Sequence, residues 1–209
     1  MLAQSLGYLY FDTGVMYRAV TWAVLDRKID VNDIEQVSEL AESLTIDVVS
    51  EGPDDGRQYT VLVDEQDVTW HIRKPEVDEI VSQVSGYPGV RAALTAQQRR
   101  IAANGSIVMV GRDIGTVVLP QAQLKIFMVA SPQERARRRH KDCLAQGRWA
   151  DFEAILAGII ERDEKDRTNP VSPMVPANDA IIIETDNLSE EAVLAKIEKL
   201  VTQLKNGTA

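Results

Sequence analysis

This chain of 209 residues has one cysteine and no long apolar run. A lone Cys143 can form neither an internal disulfide nor a cysteine-based zinc cluster. No apolar stretch approaches the roughly 20 residues that a membrane helix needs. The first residues also lack the basic-then-apolar pattern of a signal peptide. These absences predict a soluble, cytoplasmic protein that does not contact a membrane.

The chain also lacks an excess of basic residues, since its net charge is −9. General nucleic-acid binders need a basic surface, so this charge argues against that class. The arginines are nevertheless concentrated in one stretch, as a site for a small, highly charged anion requires. A solvated helix face is the alternative interpretation. The stretch contains Arg135, Arg137, Arg138, Arg139, Arg148, Arg162 and Arg167.

Histidine and cysteine, the usual ligands of zinc, are scarce. The chain has two histidines, His71 and His140, and neither has a cysteine or a second histidine at ligand spacing. We therefore assign no metal to either of them.

Short β-rich runs alternate with longer helical ones, which predicts an α/β protein with a mainly parallel sheet covered by helices. With 44% hydrophobic residues, the length fits one domain with an insert. Four apolar runs suit strands that are buried on both faces. They are Tyr8 to Phe11, Ile107 to Val110, Leu124 to Ala130 and Ala180 to Thr185.

The pattern changes between Ile46 and Ile72, where short β-rich runs are joined by polar turns. We predict strands at Ile46 to Val49, Tyr59 to Val63 and Val68 to Ile72. These strands would form a small antiparallel insert.

Capping residues mark several helix boundaries. Asn32 with Glu35 three residues later, and Ser131 followed by Pro132 and Glu134, are typical helix starts. Ser189 predicts the start of a final helix, and Gly105 follows the end of another.

The first residues read as the last turns of a helix that Gly7 closes, with no N-cap before it. A helix before the first strand of an α/β sheet usually has its own preceding strand. We therefore expect a further strand and loop upstream.

Polar groups follow the strand Tyr8 to Phe11, in the motif Asp12 to Arg18. Open α/β sheets bind ligands at the carboxyl ends of their strands. We expect Thr13 to cap a helix that begins near Val15, whose N-terminal N–H groups would favour phosphate. From this motif alone, an ordinary capped turn is the slightly better interpretation.

A second motif, Gly111 to Thr116, follows the strand Ile107 to Val110. Arg112 and Asp113 need partners directly after a buried strand, and an Arg112–Asp113 pair is one possibility. Flanking Gly111 and Gly115 predict close backbone approach or unusual dihedrals.

A third cluster, residues 161–167, ends a helix with Arg162 and Asp166 on one face. By itself such a cluster is usually a solvated, salt-bridged face.

In this order and at these spacings, the motifs resemble those of bacterial cytidylate kinases over nearly the whole chain. Each motif alone would be weak evidence. The shared elements are Tyr-Phe-Asp-Thr-Gly-x-Met-Tyr-Arg, Ser82-Gln83-Val84 with Pro88 and Arg91, Gly111-Arg112-Asp113-x-Gly-Thr, Ser131 to Arg139, Arg162-Asp163 with Asp166, and Pro173 to Asp179.

The resemblance implies a P-loop nucleoside-monophosphate-kinase-like fold of three layers, with a parallel sheet, a small antiparallel insert and a helical lid. Residues 1–209 would form one domain. Its core would be 1–44 and 88–209, its monophosphate-binding insert 45–87, and its lid about 141–160.

The resemblance also implies transfer of the γ-phosphate of ATP to CMP or dCMP, with Mg²⁺ accompanying ATP, by a monomer. Arg18 and Arg112 would grip the acceptor phosphate, Ser82, Arg91 and Asp113 would read the base with support from Thr13, and Arg162 and Asp166 would hold the ribose. Arg135, Arg138 and Arg139, near a lid that includes Arg148, would stabilise the transferring charge. The implied catalytic residues are Arg18, Arg112, Arg135, Arg139 and Arg162.

The chain departs from the family pattern in two places. The 209 residues contain no Gly-x-x-x-x-Gly-Lys-Ser/Thr loop, which the family places roughly twenty residues before Asp12. We expect that loop on an upstream segment with a central strand, and we expect activity and folding to suffer without it. In addition, Asn169 stands where family members commonly carry arginine.

Two other functions remain open. A non-catalytic CMP-binding protein would keep the acceptor pocket without the ATP loop. A related small-molecule kinase, such as a shikimate or adenylate kinase, would differ in its acceptor. The base-reading residues argue against this last class.

Overall fold

The computed structural model describes residues 1–169 and 173–207. The chain divides into two compact units, Met1–Ile114 and Gly115–Ala209. The predicted α/β class, with parallel strands and a small antiparallel sheet, is confirmed. Among the described residues, no helix has the length and apolar character needed to cross a membrane.

The first unit contains a parallel pair of strands, an antiparallel sheet, five α-helices and a 3₁₀ helix. Strand β1 pairs with β5 in parallel, with Leu9 opposite Ile107 and Asp12 opposite Val110. In chain order its elements are α1 (Leu2–Leu6), β1 (Leu9–Asp12), α2 (Gly14–Asp26), α3 (Ile34–Ser43), β2 (Ile46–Val49), β3 (Thr60–Val63), β4 (Gln66–Asp67), a 3₁₀ helix (His71–Arg73), α4 (Pro75–Val84), α5 (Pro88–Ala102) and β5 (Ile107–Val110).

In its described residues, 115–169 and 173–207, the second unit contains another parallel pair of strands and three α-helices. Strand β6 pairs with β7, with Ile126 opposite Ile181 and Val129 opposite Glu184. After a π-helical segment (Ile114–Val118), the elements are β6 (Ile126–Val129), α6 (Pro132–Ala145), α7 (Phe152–Arg167), β7 (Ile181–Glu184) and α8 (Glu190–Lys205).

The core of the first unit is built around α2. Met16, Val20 and Val24 are fully buried and lie four residues apart, so they share one face of the helix. They belong to the same buried cluster as Phe11 of β1 and Leu94 of α5. Burial of each such side chain stabilises the fold by about 1.5 to 3 kcal/mol. This packing holds the start of α2 beside the end of β1.

Three of the predicted helix boundaries are confirmed. The Ser131 and Ser189 hydroxyls accept hydrogen bonds from the backbone N–H groups of Glu134 and Ala192, both at 3.2 Å. Gly7 closes α1 in the left-handed conformation, with φ of 66°.

The predicted cap at Asn32 is wrong. Helix α3 begins at Ile34, and the Asp33 carboxylate accepts from the Gln36 N–H at 3.0 Å. Asn32 lies one residue too early to reach that amide, and its side chain donates to Asp30 instead.

The antiparallel insert is confirmed in its first two strands and wrong in its third. Asp64 and Glu65 both have positive φ, which makes a tight turn and returns the chain at Gln66. The Thr69 hydroxyl then accepts from the Val61 N–H at 2.9 Å, and a 3₁₀ helix follows where the sequence predicted a strand. The Thr69 side chain therefore takes the place of a backbone carbonyl as the acceptor for Val61, and the hydrogen bonding between the strands ends there.

Candidate active site

The carboxyl ends of β1 and β5 lie together, because the parallel register places Asp12 opposite Val110. Both polar motifs that follow these strands therefore begin at one edge of the sheet. Asp12 starts the first turn of α2 by accepting a hydrogen bond from the Gly14 N–H at 2.9 Å.

Thr13 is buried and is the N-cap residue of α2, as predicted, but its side chain makes no capping hydrogen bond. Its hydroxyl donates to the Val110 carbonyl of β5 at 3.1 Å, while its N–H donates to the same oxygen at 2.9 Å. The Asp12 carboxylate already bonds the first amide of the helix, so Thr13 is free to link the two strand ends.

The close backbone approach predicted at Gly111 is confirmed. A Cβ atom built there would lie 2.4 Å from Thr13 Oγ1 and 2.7 Å from Ile114 Cδ1. Real Cβ atoms do not come this close to other atoms, so only glycine fits without a shift of its neighbours. Gly111 thus lets the second motif pack against the first.

Arg91 of α5 forms an ion pair with Asp113, and the two side chains are only 15% and 9% exposed. Arg91 also donates to the Ser85 carbonyl at 3.1 Å, and its guanidinium lies 5.5 Å from the centre of the Tyr17 ring. Burial raises the pKa of Tyr17, although the Arg91 guanidinium opposes this shift. Two of the predicted base-reading residues are therefore in contact and largely removed from solvent.

The third predicted base-reading residue, Ser82, is exposed on α4. It lies one turn before Ser85, whose carbonyl accepts the hydrogen bond from Arg91. The end of α4 therefore connects Ser82 to the Arg91–Asp113 pair through the backbone.

Arg18, one turn into α2, is anchored through a single nitrogen. Its Nη1 donates to the Ile72 carbonyl at 3.1 Å and lies 2.5 Å from an Asp78 carboxylate oxygen of α4. Arg112, the other predicted phosphate-binding residue, is exposed directly beyond β5.

In the second unit, Arg135 of α6 is paired with Asp163 of α7 through both terminal guanidinium nitrogens. These hydrogen bonds raise the pKa of Arg135 above its ordinary value. Arg138, in turn, donates to the Thr185 carbonyl at 2.5 Å and is paired with Glu134. Two arginines of the predicted cluster therefore hold structural elements together.

Arg139 and Arg162 differ from these two. Both are exposed, and neither forms an ion pair or hydrogen bond with another described residue. Arg162 and Asp166 lie four residues apart within α7, as predicted. Asn169 follows the helix and is half-buried.

Sequence reasoning missed three side chains that complete these contacts. Tyr17 lies inside the first motif and Asp163 inside the third. Their positions next to Arg18 and Arg162 in the sequence could have indicated that they contribute to the site. For Asp78 the sequence carries no signal, because its partner Arg18 lies 60 positions away in the chain and on another helix.

No group of three or more His, Cys, Asp or Glu side chains within the described residues is placed to hold a metal ion.

Comparison with known proteins matches this chain to one family. The family model described as "Cytidylate kinase" matches residues 1–203. A curated cytidylate kinase of Roseiflexus castenholzii is 50% identical over 198 residues, covering 94% of this chain and 84% of the relative. One of Carboxydothermus hydrogenoformans is 43% identical over 201 residues, covering 96% and 89%. One of Chloroflexus aggregans is 50% identical over 196 residues, covering 93% and 84%.

The mixed α/β structure with its parallel strands is consistent with the nucleoside monophosphate kinase fold of that family. Identity of 43% to 50% over nearly the whole chain shows common descent with these proteins. The chain belongs to the cytidylate kinase family and is a kinase, a phosphate-transferring enzyme of nucleotide metabolism.

Proposed function

We propose that this protein transfers the γ-phosphate of ATP to CMP or dCMP, and that it does so as a cytoplasmic monomer. The observation that carries the proposal is the Arg91–Asp113 pair, largely buried beside the carboxyl ends of β1 and β5. Ligands of open α/β sheets bind at this edge. A fixed pair of one donor and one acceptor there suits the edge of a nucleobase.

The pair suits cytosine better than uracil. The Asp113 carboxylate can accept a hydrogen bond from the N4 amino group of cytosine, and Arg91 can donate to N3 or O2. Uracil carries O4 instead of the amino group, so its oxygen would face the carboxylate without a proton between them. Ser82 would add a hydroxyl to this recognition, and Thr13 would support it by holding the strand ends together.

The acceptor phosphate would bind Arg18 and Arg112, since a planar guanidinium matches two phosphate oxygens. Arg162 and Asp166 would bind the ribose hydroxyls. Arg139 and Arg162 each have a guanidinium without an ion-pair partner among the described residues, and both could stabilise the charge that develops on the transferring phosphoryl group. Arg135, whose terminal nitrogens bind Asp163, would contribute mainly by positioning α7.

The reaction needs no covalent intermediate with the enzyme. An oxygen of the acceptor phosphate attacks the γ-phosphorus in line, the bond to ADP breaks, and ADP leaves as the second product. Mg²⁺ bound to ATP would neutralise part of the phosphate charge. The protein's part is to hold the acceptor in line and to exclude water, for which the segment at about 141–160 would act as the lid.

The loop that binds ATP would lie on further chain that completes the fold. Parallel strands are normally covered on both faces, yet Val110 of β5 is 45% exposed and Met128 of β6 is 52% exposed. These exposed strand residues support the proposal that further chain covers the described strands, and that this chain carries the Gly-rich phosphate loop.

A non-catalytic CMP-binding protein is the second candidate. It is favoured by one specific observation, the lack of a Gly-x-x-x-x-Gly-Lys-Ser/Thr loop in the 209 residues. Such a protein would bind CMP through the same Arg91–Asp113 pair and would release no ADP.

An assay of ADP release separates the two. The 209-residue chain and a version extended upstream through the expected loop are each given ATP, Mg²⁺ and one of CMP, dCMP, UMP or AMP. We expect turnover of CMP and dCMP by the extended version alone. The Asp113→Asn variant of that version should lose its preference for CMP over UMP.

Two results would change the conclusion. If neither version releases ADP while CMP still binds, the protein is a non-catalytic binder. If AMP or a substrate without a base is the best acceptor, the proposed reading of the base is wrong.

A further inference from the structure

A single guanidinium nitrogen of Arg18, Nη1, contacts two acceptors. Its Nη1 meets the Ile72 carbonyl at 3.1 Å and the Asp78 carboxylate at 2.5 Å. Neither Nη2 nor Nε binds another described residue. The open edge is the one that a phosphate could take with two parallel hydrogen bonds.

Asp78 is the single acidic partner of this guanidinium within the described part of the chain. Its side chain is 55% exposed, and that of Arg18 is 33% exposed. Ion pairs with this much exposure contribute little to stability and exchange readily with solvent. The carboxylate also lies in the first turn of α4, where the helix N-terminus stabilises a negative charge whether or not it is paired. Asp78 can therefore release Arg18 at little cost.

We propose that Asp78 is the counter-ion of Arg18 when no acceptor is bound, and that it lowers the affinity for the phosphate-bearing acceptor. The acceptor phosphate must either displace the Asp78 carboxylate from Arg18 or bind against its repulsion. This inference rests on the proposed function, in which Arg18 binds that phosphate. A phosphate dianion beside Arg18 repels a carboxylate 2.5 Å from the same nitrogen. Asp78 therefore weakens acceptor binding and prevents Arg18 from holding other anions when no acceptor is present.

The effect has a chemical signature. It depends on the phosphate, so the affinity for a nucleoside with the same base and sugar should not change when Asp78 is replaced. It also depends on Arg18, so removal of that guanidinium should abolish it. An effect that arose only from altered packing of α4 would show neither dependence.

The test measures binding of CMP and of cytidine to the 209-residue chain, by calorimetry and by NMR titration respectively. Asp78→Asn keeps the shape of the side chain and removes its charge. We expect it to bind CMP about three- to fivefold more tightly, the size of a partly exposed ion pair, with cytidine binding unchanged. Glu79→Gln is the matched control, because Glu79 is an exposed carboxylate on the same helix without a described partner.

Asp78→Ser provides a second uncharged variant, and circular dichroism checks that each variant is folded. In an Arg18→Ala background, Asp78→Asn should produce no gain, which a double-mutant cycle measures directly. The gain should also shrink as the salt concentration rises.

Each other outcome has a definite meaning. If CMP binds Asp78→Asn no more tightly than the unmodified chain, or if cytidine binding changes by the same factor, Asp78 is not the counter-ion that we propose. If the unmodified chain binds CMP with no help from Arg18, the proposed phosphate site itself fails, and this inference fails with it.

Discussion

Arg91 and Asp113 come from different elements, α5 and the segment after β5, and meet in an ion pair with side chains only 15% and 9% exposed. Removal of one partner would leave the other charged group poorly solvated, which costs more than loss of an exposed pair. The pair is also fixed before any ligand binds, because Arg91 is held further by the Ser85 carbonyl and the Tyr17 ring.

We expect Asp113→Asn to lower the free energy of unfolding by about 1 to 3 kcal/mol, because Arg91 loses its charged partner while the packing is kept. Urea unfolding followed by circular dichroism measures this loss. Asp54→Asn, at an exposed carboxylate without a described partner, should change it little. Equal effects of the two variants would show that the Arg91–Asp113 pair does not stabilise the fold.

The two neighbouring glutamines of α5 should respond in opposite directions to methionine. Gln98 is 1% exposed, and neither polar atom of its side chain has a partner in good hydrogen-bond geometry among the described residues. Its one polar interaction with them is a weak one with the Tyr17 hydroxyl, which partly opposes the rise in the pKa of Tyr17. Gln97 bonds the Ile46 N–H at 2.8 Å and the Leu44 carbonyl at 3.0 Å. Gln98→Met should therefore raise the free energy of unfolding by about 1 kcal/mol, and Gln97→Met should lower it by about as much.

Urea unfolding of both glutamine variants at pH 7 gives the comparison. A clear loss of stability in Gln98→Met would mean that this amide has a partner, such as a buried water, that methionine cannot replace.

Gly111 and Gly158 form a matched pair for substitution by alanine. At Gly111 the new Cβ atom would lie 2.4 Å from Thr13 Oγ1, whereas at Gly158, inside α7, it would meet nothing within 4 Å. We expect Gly111→Ala to destabilise the protein by about 1 to 3 kcal/mol through overpacking. Gly158→Ala should stabilise it by about 0.5 to 1 kcal/mol through the better helix propensity of alanine.

Thermal unfolding of the two glycine variants should shift in opposite directions. If Gly111→Ala unfolds at the same temperature as the unmodified chain, Thr13 and Gly111 lie farther apart than they do in the structure.

Stability of the insert should fall in acid because of Asp55. This carboxylate binds the Arg57 guanidinium at 2.8 and 2.6 Å and accepts from Trp70 Nε1 at 2.9 Å. The hydrogen bonds from Arg57 hold the pKa of Asp55 well below the ordinary range of a carboxyl group. The ionised form therefore stabilises the fold. Its contribution is complete above the unfolded pKa of about 3.9 and is lost as the pH falls through the folded pKa.

We expect Asp55→Asn to be less stable than the unmodified chain by a constant amount between pH 7 and 5, with the difference shrinking below about pH 4. Urea unfolding at a series of pH values measures it, and Asp54→Asn should follow the unmodified chain throughout. A difference that persists unchanged to about pH 2 would rule out ionisation of Asp55 as its source.

The strands of both parallel pairs and the helix ends at Ser131 and Ser189 could be predicted from the sequence, since apolar runs and caps act over a few neighbouring residues. The third insert strand could not, because the Thr69 hydroxyl competes with the backbone only after the turn at Asp64 and Glu65 has formed. The role of Thr13 was likewise decided by a carbonyl 97 positions away.

The sequence by itself determined the family, the α/β class and the identity of the polar residues at the ends of β1 and β5, because motif spacing and local periodicity are properties of the chain order. The tertiary structure alone decided which charges meet. It paired Arg91 with Asp113, Arg18 with Asp78 and Arg135 with Asp163. These partners lie 22 to 60 positions apart. Packing of the helices and strands brings these charged side chains together and partly excludes water between them. Exclusion of water strengthens the attraction within a pair and so favours one pairing over the others.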